Sequence, residues 1–339
     1  MYNIILEESP KRFLGLMMGC GSFVTAAAPA IGPTFGGIMT QYFTWRYIFI
    51  CVLPVIILAS FIGYFCMSEQ IINKHEKFDL LSFIAVALAF VSLIMGFSNL
   101  NQIVDDLVCV LGCFIIGIIS LYYFTKRQLH IKNSLIRIEI FNHKGFTFHT
   151  LAIMFLQMTT LGYGLLLPTF VQIVLKQSAT DAGVVLLPGA IVGAVFAPIG
   201  GLILDRLGAK KPIILGLCGS FIATFCFLFF FENLTYQSCI LFYFIYSLGI
   251  GLIVGNTMTS AMSYLPKNLQ ADGNATLQTL MQLSGGIGTS ITATILAFVQ
   301  QETNLYDGTN RGALFVLIFL MFNINIVILS QYFAFKGGK

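Results

Sequence analysis

Charged residues are scarce in this chain of 339 residues. Asp, Glu, Lys and Arg make up 9% of it, whereas about a quarter of a soluble domain is charged. Hydrophobic residues make up 57%, and Phe alone occurs 33 times. A soluble globule of this length needs far more polar surface, so the composition predicts an integral membrane protein.

The few charges divide the chain into ten charge-free stretches, each long enough for the roughly 17–25 residues of a membrane helix. Membrane β-barrels are excluded, because their strands are about ten residues of alternating polarity. We therefore predict an all-α integral membrane protein, a polytopic helical bundle of about ten transmembrane helices. The ten spans are 13–45, 47–68, 80–104, 107–125, 145–175, 182–204, 212–231, 233–266, 273–301 and 312–335.

Lys and Arg residues are concentrated on one side of the predicted membrane. If the N-terminus is placed inside, only Arg46, Lys176 and Arg311 of the 18 fall in outer segments. Cytoplasmic loops of membrane proteins carry such an excess. We therefore predict a multi-pass protein of the cell (plasma) membrane with both termini cytoplasmic. This topology accounts for the net charge of +4, so membrane lipid is an expected partner and nucleic acid is not.

The eight cysteines give no sign of a metal or redox site. All of them lie in apolar stretches, and Cys109 and Cys113, which share a helix face, have no His or carboxylate nearby to complete a metal site. We read them as small buried hydrophobic residues, and we expect no metal and no cofactor. HExxH and GxSxG motifs are also absent from the sequence, so we expect no enzyme.

The first span is crowded with small residues. At a spacing of four, Gly15 and Gly19 share one helix face, while Ala28, Gly32 and Gly36 form another stripe. Small residues at this spacing let a neighbouring helix approach closely within a membrane. We therefore predict a buried, tightly packed helix. The full pattern consists of Gly19, Ala28, Gly32, Pro33, Gly36 and Gly37.

The sixth span carries a similar stripe, and we predict that it packs against the first span along the two small faces. The stripe consists of Gly189, Gly193, Ala197 and Gly201.

A second motif, G-x-x-x-D-R-x-G-x-K-K, begins at the end of the same stripe and continues into a predicted cytoplasmic turn. Its Asp can pair with an Arg or with an exposed helix N-terminus; the alternative is a positive-inside turn with an incidental Asp. The motif residues are Gly201, Asp205, Arg206, Gly208, Lys210 and Lys211.

Two of these patterns resemble signatures of the major facilitator superfamily. Residues 19–37 resemble the antiporter motif in the fifth helix of that superfamily, with Ala28 where the motif usually has Gly. Residues 201–211 resemble the loop signature between the second and third helices of a half. In the resembled antiporters the motif helix meets a helix of the opposite half, in agreement with the packing that we predict.

A third pattern narrows the resemblance. Trp45, Arg46 and Pro54 follow the first span directly and resemble the W-R-x-I-F…P continuation of the fourteen-helix drug:proton antiporters. Val52 stands where that family usually has Asn. In isolation, Trp and Arg at a membrane boundary are an ordinary interfacial anchor.

The resemblance implies a partial major facilitator fold that begins at the fifth helix of the fourteen-helix plan and lacks the first four. Residues 1–67 would hold the last two helices of the N-terminal half, and 68–125 an inserted helix pair that faces lipid, since it has few small or polar residues. Residues 126–145 would be a cytoplasmic connector, and 146–335 a complete six-helix C-terminal half.

The function implied by the resemblance is proton-coupled efflux of lipophilic or cationic drugs. No Asp, Glu, Lys or Arg lies in the middle of a span, so protons could serve as the coupling ion only if the missing helices are supplied. The alternative is a truncated remnant that does not transport, or an assembly partner in the membrane.

Lipophilic cations suit a large apolar cavity with a few hydrogen-bonding groups. Seven side chains are candidates for such a cavity, five amides as hydrogen-bonding groups with Tyr163 and Phe155 as aromatic walls. For the polar ones an interhelical hydrogen bond is an equally open interpretation. They are Phe155, Gln157, Tyr163, Gln172, Asn256, Gln278 and Gln282.

Overall fold

The computed structural model describes residues 5, 9–10, 13–66, 79–100, 106–131 and 136–337. All long regular elements in these ranges are α-helices, joined by short turns and 3₁₀ segments, which confirms the all-α prediction. They are α1 (Leu14–Tyr42), α2 (Arg46–Cys66), α3 (Leu80–Ser98), α4 (Leu107–His130), α5 (Lys144–Ile173), α6 (Ala179–Val184), α7 (Leu187–Leu207), α8 (Lys210–Phe229), α9 (Tyr236–Ser263), α10 (Gln270–Glu302) and α11 (Leu305–Gly337).

The helices have the lengths that a membrane requires. Within the described ranges, 9 helical segments are long and apolar enough to cross a bilayer. The first helix, α1, runs for 29 residues without a charged side chain, although the side chains of residues 26–30 lie outside the described part. The chain is therefore a multi-pass membrane protein.

The sixth predicted span is divided into two helices. The sequence predicted one helix over 182–204, but α6 ends at Val184 and α7 begins at Leu187. Pro188 lies in the first turn of α7. It has no backbone N–H to donate to a carbonyl of the preceding helix, so the helix is interrupted there. The short helix α6 has its own start signal, a capping box between Ser178 and Asp181.

Helices α5 and α7 to α11 form one bundle with a continuous apolar core. Its centre is aromatic: the ring of Tyr163 on α5 lies 4.7 Å from that of Tyr246 on α9 and 5.4 Å from that of Phe227 on α8. Buried side chains of α11, such as Leu320 and Ile324, complete this core. The bundle has large apolar side chains in its core and also on its surface. Apolar residues on the surface are expected where the surrounding solvent is lipid and not water.

Helices α3 and α4 form a hairpin whose inner face is richer in small residues than the sequence analysis recognised. Five small side chains of α3, spaced by three and four, are buried in the structure. The expectation that this pair only faces lipid is therefore incomplete, because its inner face makes close helix contacts. The stripe is Ser82, Ala85, Ala89, Ser92 and Gly96.

The hairpin also packs on the outside of α10. The Ser98 hydroxyl lies 2.9 Å from that of Ser290, and the Thr294 hydroxyl donates to the Phe97 carbonyl at 2.8 Å. These bonds attach α3 to the middle of α10. The end of the hairpin near Asp79 is held by an ion pair between Arg127 and Asp79 at 2.9 Å.

Helix α2 has little contact with the rest of the described chain. It packs mainly against the end of α1, and its apolar side chains are almost all exposed. Within the boundary motif, the guanidinium of Arg46 lies 4.8 Å from the centre of the Trp45 ring, and Pro54 lies inside the exposed helix. The motif therefore makes a local cation–π contact and no described contact to the bundle.

Candidate functional site

Helix α1 packs closely against α6 and α7, and we call this contact the seam. A Cβ atom built on Gly19 would lie 2.6 Å from the Ala197 carbonyl oxygen, and one on Gly37 would lie 2.5 Å from the Ala179 carbonyl oxygen. Such distances exclude any side chain, so backbone touches backbone at both places. Glycine is the residue that permits this approach.

The helical repeat explains why half of the small-residue motif faces the seam. Gly19 and Gly37 are eighteen residues apart, which is five turns at about 3.6 residues per turn, so they share a face. Gly32 and Gly36 point away from the seam, and a Cβ built on either would have no described atom within 4 Å. The side chain of Ala28 lies outside the described residues.

The matching stripe on α7 also divides between two neighbours, contrary to the sequence prediction. Ala197 and Gly201 face α1, but a Cβ on Gly189 would meet the Tyr243 ring and one on Gly193 would meet the Ser247 carbonyl, both on α9. A spacing of four residues advances about 40° around a helix at each step. Over three steps the stripe therefore turns from α9 to α1.

We call the end of the seam that the sequence predicts to be cytoplasmic its inner end and the other its outer end, and Asp205 closes the inner one. One carboxylate oxygen accepts a hydrogen bond from the Gly15 amide at 2.8 Å, and the other accepts one from the Leu16 amide at 3.0 Å. Helix α1 has no cap of its own, since the side chain of Phe13 makes no capping bond. A carboxylate from a distant helix therefore supplies the cap and complements the positive end of α1.

Of the alternatives left open by the sequence, the structure favours the helix N-terminus as the partner of Asp205. Neither Arg206 nor Lys210 nor Lys211 forms an ion pair among the described residues. Gly208 ends α7 with φ of 79°, a conformation that favours glycine. This turn leads directly into the two lysines at the start of α8.

At its outer end the seam is closed by residues that the sequence analysis did not select. The Thr34 hydroxyl donates to the Gly183 carbonyl at 3.1 Å, and the Thr180 amide donates to the side-chain oxygen of Gln41 at 2.9 Å. Polar residues beside a small stripe are common sites of interhelical hydrogen bonds. Thr34, which follows Pro33 directly, was therefore recognisable in principle.

Two of the seven cavity candidates belong to the core. Tyr163 is fully buried, and its hydroxyl donates to that of Thr224 at 2.9 Å. Asn256 is 2% exposed and donates to the Leu252 carbonyl of its own helix at 2.7 Å. Both polar groups thus have a hydrogen-bond partner inside the bundle, as most buried polar groups do.

The other five candidates are dispersed over the bundle. Phe155 packs on the core between α5 and α8, Gln157 lies beside Gly285, Gln278 is half-buried, and Gln172 and Gln282 are exposed. Two grooves on the lipid-facing side are lined by none of the seven. The assignment of these residues to a substrate cavity stays a prediction.

A buried histidine was also missed. His149 is fully buried near the start of α5, and its Nε2 lies 2.9 Å from the Ser260 hydroxyl of α9. The rings of Tyr264 and Phe335 lie 5.6 and 5.3 Å away. The sequence feature that could have indicated this burial is a lone His near the start of an apolar span, because ionisable residues are rare in such spans.

The comparisons with known proteins agree on one family. The model of the Major Facilitator Superfamily matches residues 1–289. The lincomycin resistance protein LmrB of Bacillus subtilis is 32% identical over 308 residues, which cover 89% of this chain and 64% of that protein. LmrB of Listeria monocytogenes is 31% identical, with 92% and 66% covered. The chain thus spans a little less than two thirds of the length of these relatives.

A more distant relative is named for multidrug resistance. The putative multidrug resistance protein MdtD of Escherichia coli is 24% identical over 332 residues, which cover 94% of this chain and 68% of that protein.

Proposed function

The chain belongs to the Major Facilitator Superfamily, and we propose that it works in secondary active, proton-coupled efflux of lipophilic or cationic small molecules. Support comes from relatives that are named for lincomycin resistance and multidrug resistance. The fourteen-helix plan, the four helices that would precede α1 and the division at 67, 125 and 145 remain parts of this proposal. So do the plasma-membrane location and the cytoplasmic termini.

The observation that carries the proposal is the seam. Secondary transporters work by rocking one repeat or bundle against another around a site near the midplane. At Gly19 and at Gly37 the contacts across the seam are made by backbone atoms, and a backbone contact without interlocking side chains would let the helices pivot there. We propose that α1 and α7 rock about these glycine contacts, and that the bonds from Asp205 to α1 exist in one state of the cycle and break in the other.

A second candidate is a membrane assembly partner that does not transport alone. The observation in its favour is the open stripe of α1, where Gly32 and Gly36 meet no described atom. Small residues at this spacing are typical of a helix-packing surface. In this alternative the stripe binds a helix of another chain, and the assembly would supply the proton-carrying acid.

Transport by vesicles separates the two candidates. Everted membrane vesicles that contain the protein would be energised with a proton gradient, and accumulation of ethidium and of lincomycin would be measured. Accumulation that an uncoupler abolishes supports efflux by the chain itself. If a membrane-inserted protein shows none, but gains it with an added partner chain, the assembly alternative is correct.

A further inference from the structure

A groove runs between α8 and α11 at the end of the bundle where α8 begins and α11 ends. It has a volume of about 690 Å³. From Lys210 to Ile222 it follows α8 for twelve residues, roughly 18 Å at 1.5 Å per residue. The walls are apolar and include Ile214, Phe221, Ile222, Ile328 and Phe335.

The groove opens to the lipid side of the bundle. Ile214, Ile222 and Tyr332 line it and are 45%, 53% and 59% exposed. In a membrane-spanning bundle such apolar exposure is contact with acyl chains. A groove in this position is accessible to molecules of the bilayer.

Two positive charges lie at one end of the groove. Lys210, at the start of α8, and Lys336, at the end of α11, both line it, and no carboxylate does. Among the described residues ion pairs join Arg127 to Asp79 and Arg137 to Asp272 only. Neither lysine thus has an acidic partner in the described chain, and an acidic ligand would supply one.

A second groove gives a comparison within the same protein. It lies between α10 and α11 near the opposite end, has a volume of about 850 Å³ and is also apolar. Its charged lining residues are Glu302 and Arg311, one of each sign. The opposite charges of this second groove do not favour an anion, whereas the two lysines of the α8–α11 groove do.

We propose that the α8–α11 groove is a binding site for one anionic phospholipid, whose acyl chain lies along the apolar walls and whose head group pairs with Lys210 and Lys336. The lipid would come from the leaflet at this end, which the distribution of Lys and Arg indicates is the cytoplasmic one. Basic clusters at the end of a membrane bundle attract anionic head groups in this way. The bound lipid bridges α8 and α11, and this role is independent of transport.

Photocrosslinking tests the site directly. The protein would be reconstituted in phosphatidylcholine vesicles that contain photoactivatable phosphatidylglycerol or, in parallel, photoactivatable phosphatidylcholine at the same mole fraction. Labelled peptides are mapped by mass spectrometry. Each lysine near an anionic lipid contributes about 1 kcal/mol, roughly fivefold in binding. We therefore expect the phosphatidylglycerol probe to label 210–222 and 328–336 at least fivefold more than the phosphatidylcholine probe, and K210Q/K336Q to remove this preference.

The matched control is K144Q/K267Q, which removes two exposed lysines from the same end of the bundle but outside the groove. It should keep the preference. Equal labelling by both probes would show ordinary bulk lipid and overturn the proposal, as would a preference that survives K210Q/K336Q. Absence of labelling of 210–222 and 328–336 by either probe, with labelling elsewhere on the bundle, would show that lipid does not occupy the groove and would also overturn the proposal.

Discussion

Asp205 and Gly15 are 190 residues apart in sequence, and the carboxylate of one accepts a 2.8 Å hydrogen bond from the amide of the other. The bond joins the end of α7 to the beginning of α1. The motif at residues 201–211 is therefore not only a local turn, because its Asp connects two distant parts of the chain. The predictions below begin from this connection.

Removal of the Asp205 carboxylate should loosen the inner end of the seam. We expect Asp205→Ala to lower the stability of the purified protein by about 2 kcal/mol, because two bonds to a charged acceptor are lost. Asp205→Asn keeps one acceptor oxygen and should lose less. Thermal unfolding in detergent measures both, and Arg206→Gln, which removes a neighbouring charge without a described ion pair, should have the smallest effect. Equal shifts for D205A and R206Q would contradict the bond.

Two glycines of α1 provide a matched pair for the seam contact. Gly19→Ala places a Cβ against the Ala197 carbonyl, so it should separate α1 from α7 and destabilise the protein. Gly32→Ala enters open space and should be neutral or stabilising, since Ala favours a helix over Gly by about 1 kcal/mol. Unfolding temperatures of the two variants check this. If both variants behave alike, the assignment of the two faces is wrong.

The ion pair at the base of the α3–α4 hairpin should give a pH-dependent stability. Hydrogen bonds from Arg127 and Ser82 hold the pKa of the Asp79 carboxyl well below its usual range. A lowered folded-state pKa adds stability above the unfolded pKa, about 4, and this contribution is lost as the pH falls further. Between neutral and acidic pH, the unfolding temperature of the wild type should fall more steeply than that of Asp79→Asn.

The exposed pair Arg137–Asp272 is the control for this measurement, because its side chains are 41% and 34% exposed. Solvent screens such a pair, so Asp272→Asn should leave the acid limb of the curve close to that of the wild type. A D79N protein with the wild-type slope would show that the pair does not contribute.

Buried polar atoms around His149 predict two opposite effects. Ser260→Ala leaves the Nε2 atom of His149 without its partner and should cost about 1–3 kcal/mol. The hydroxyl of Thr150, next in sequence to His149, is buried without a hydrogen-bond partner, so Thr150→Val should be neutral or stabilising. Thermal unfolding measures the stability of both variants. Equal destabilisation by Ser260→Ala and Thr150→Val would contradict the prediction.

Much of the fold could be predicted from the sequence because charge marks the ends of membrane helices. The proximity of the first and sixth spans could also be predicted, since small residues at a spacing of four indicate close packing. The partners of individual glycines could not. Gly193 and Ala197 belong to one stripe but face α9 and α1, because a helix turns by more than a full circle in four residues.

The cavity candidates show a different limit of the sequence. Gln, Asn and Tyr inside an apolar span indicate a hydrogen bond, but composition does not identify the acceptor. Asn256 uses a carbonyl of its own helix, and Tyr163 uses a hydroxyl of α8. Thr34 and Gln41, which form hydrogen bonds across the seam, lie beside a recognised motif. The sequence did not single them out because one hydroxyl or amide in a span has many possible roles.

The proposed rocking of α1 and α7 about the seam should change the distance between the start of α1 and the end of α7. Spin labels at residues 13 and 207, both exposed at the inner end, would be placed in a protein without native cysteines and measured by pulsed EPR at acidic and alkaline pH, with and without ethidium. We predict a short and a long distance whose populations shift with these conditions, and a permanent bias to the long one in D205A. A single distance, unchanged by pH, ethidium or D205A, would contradict the account.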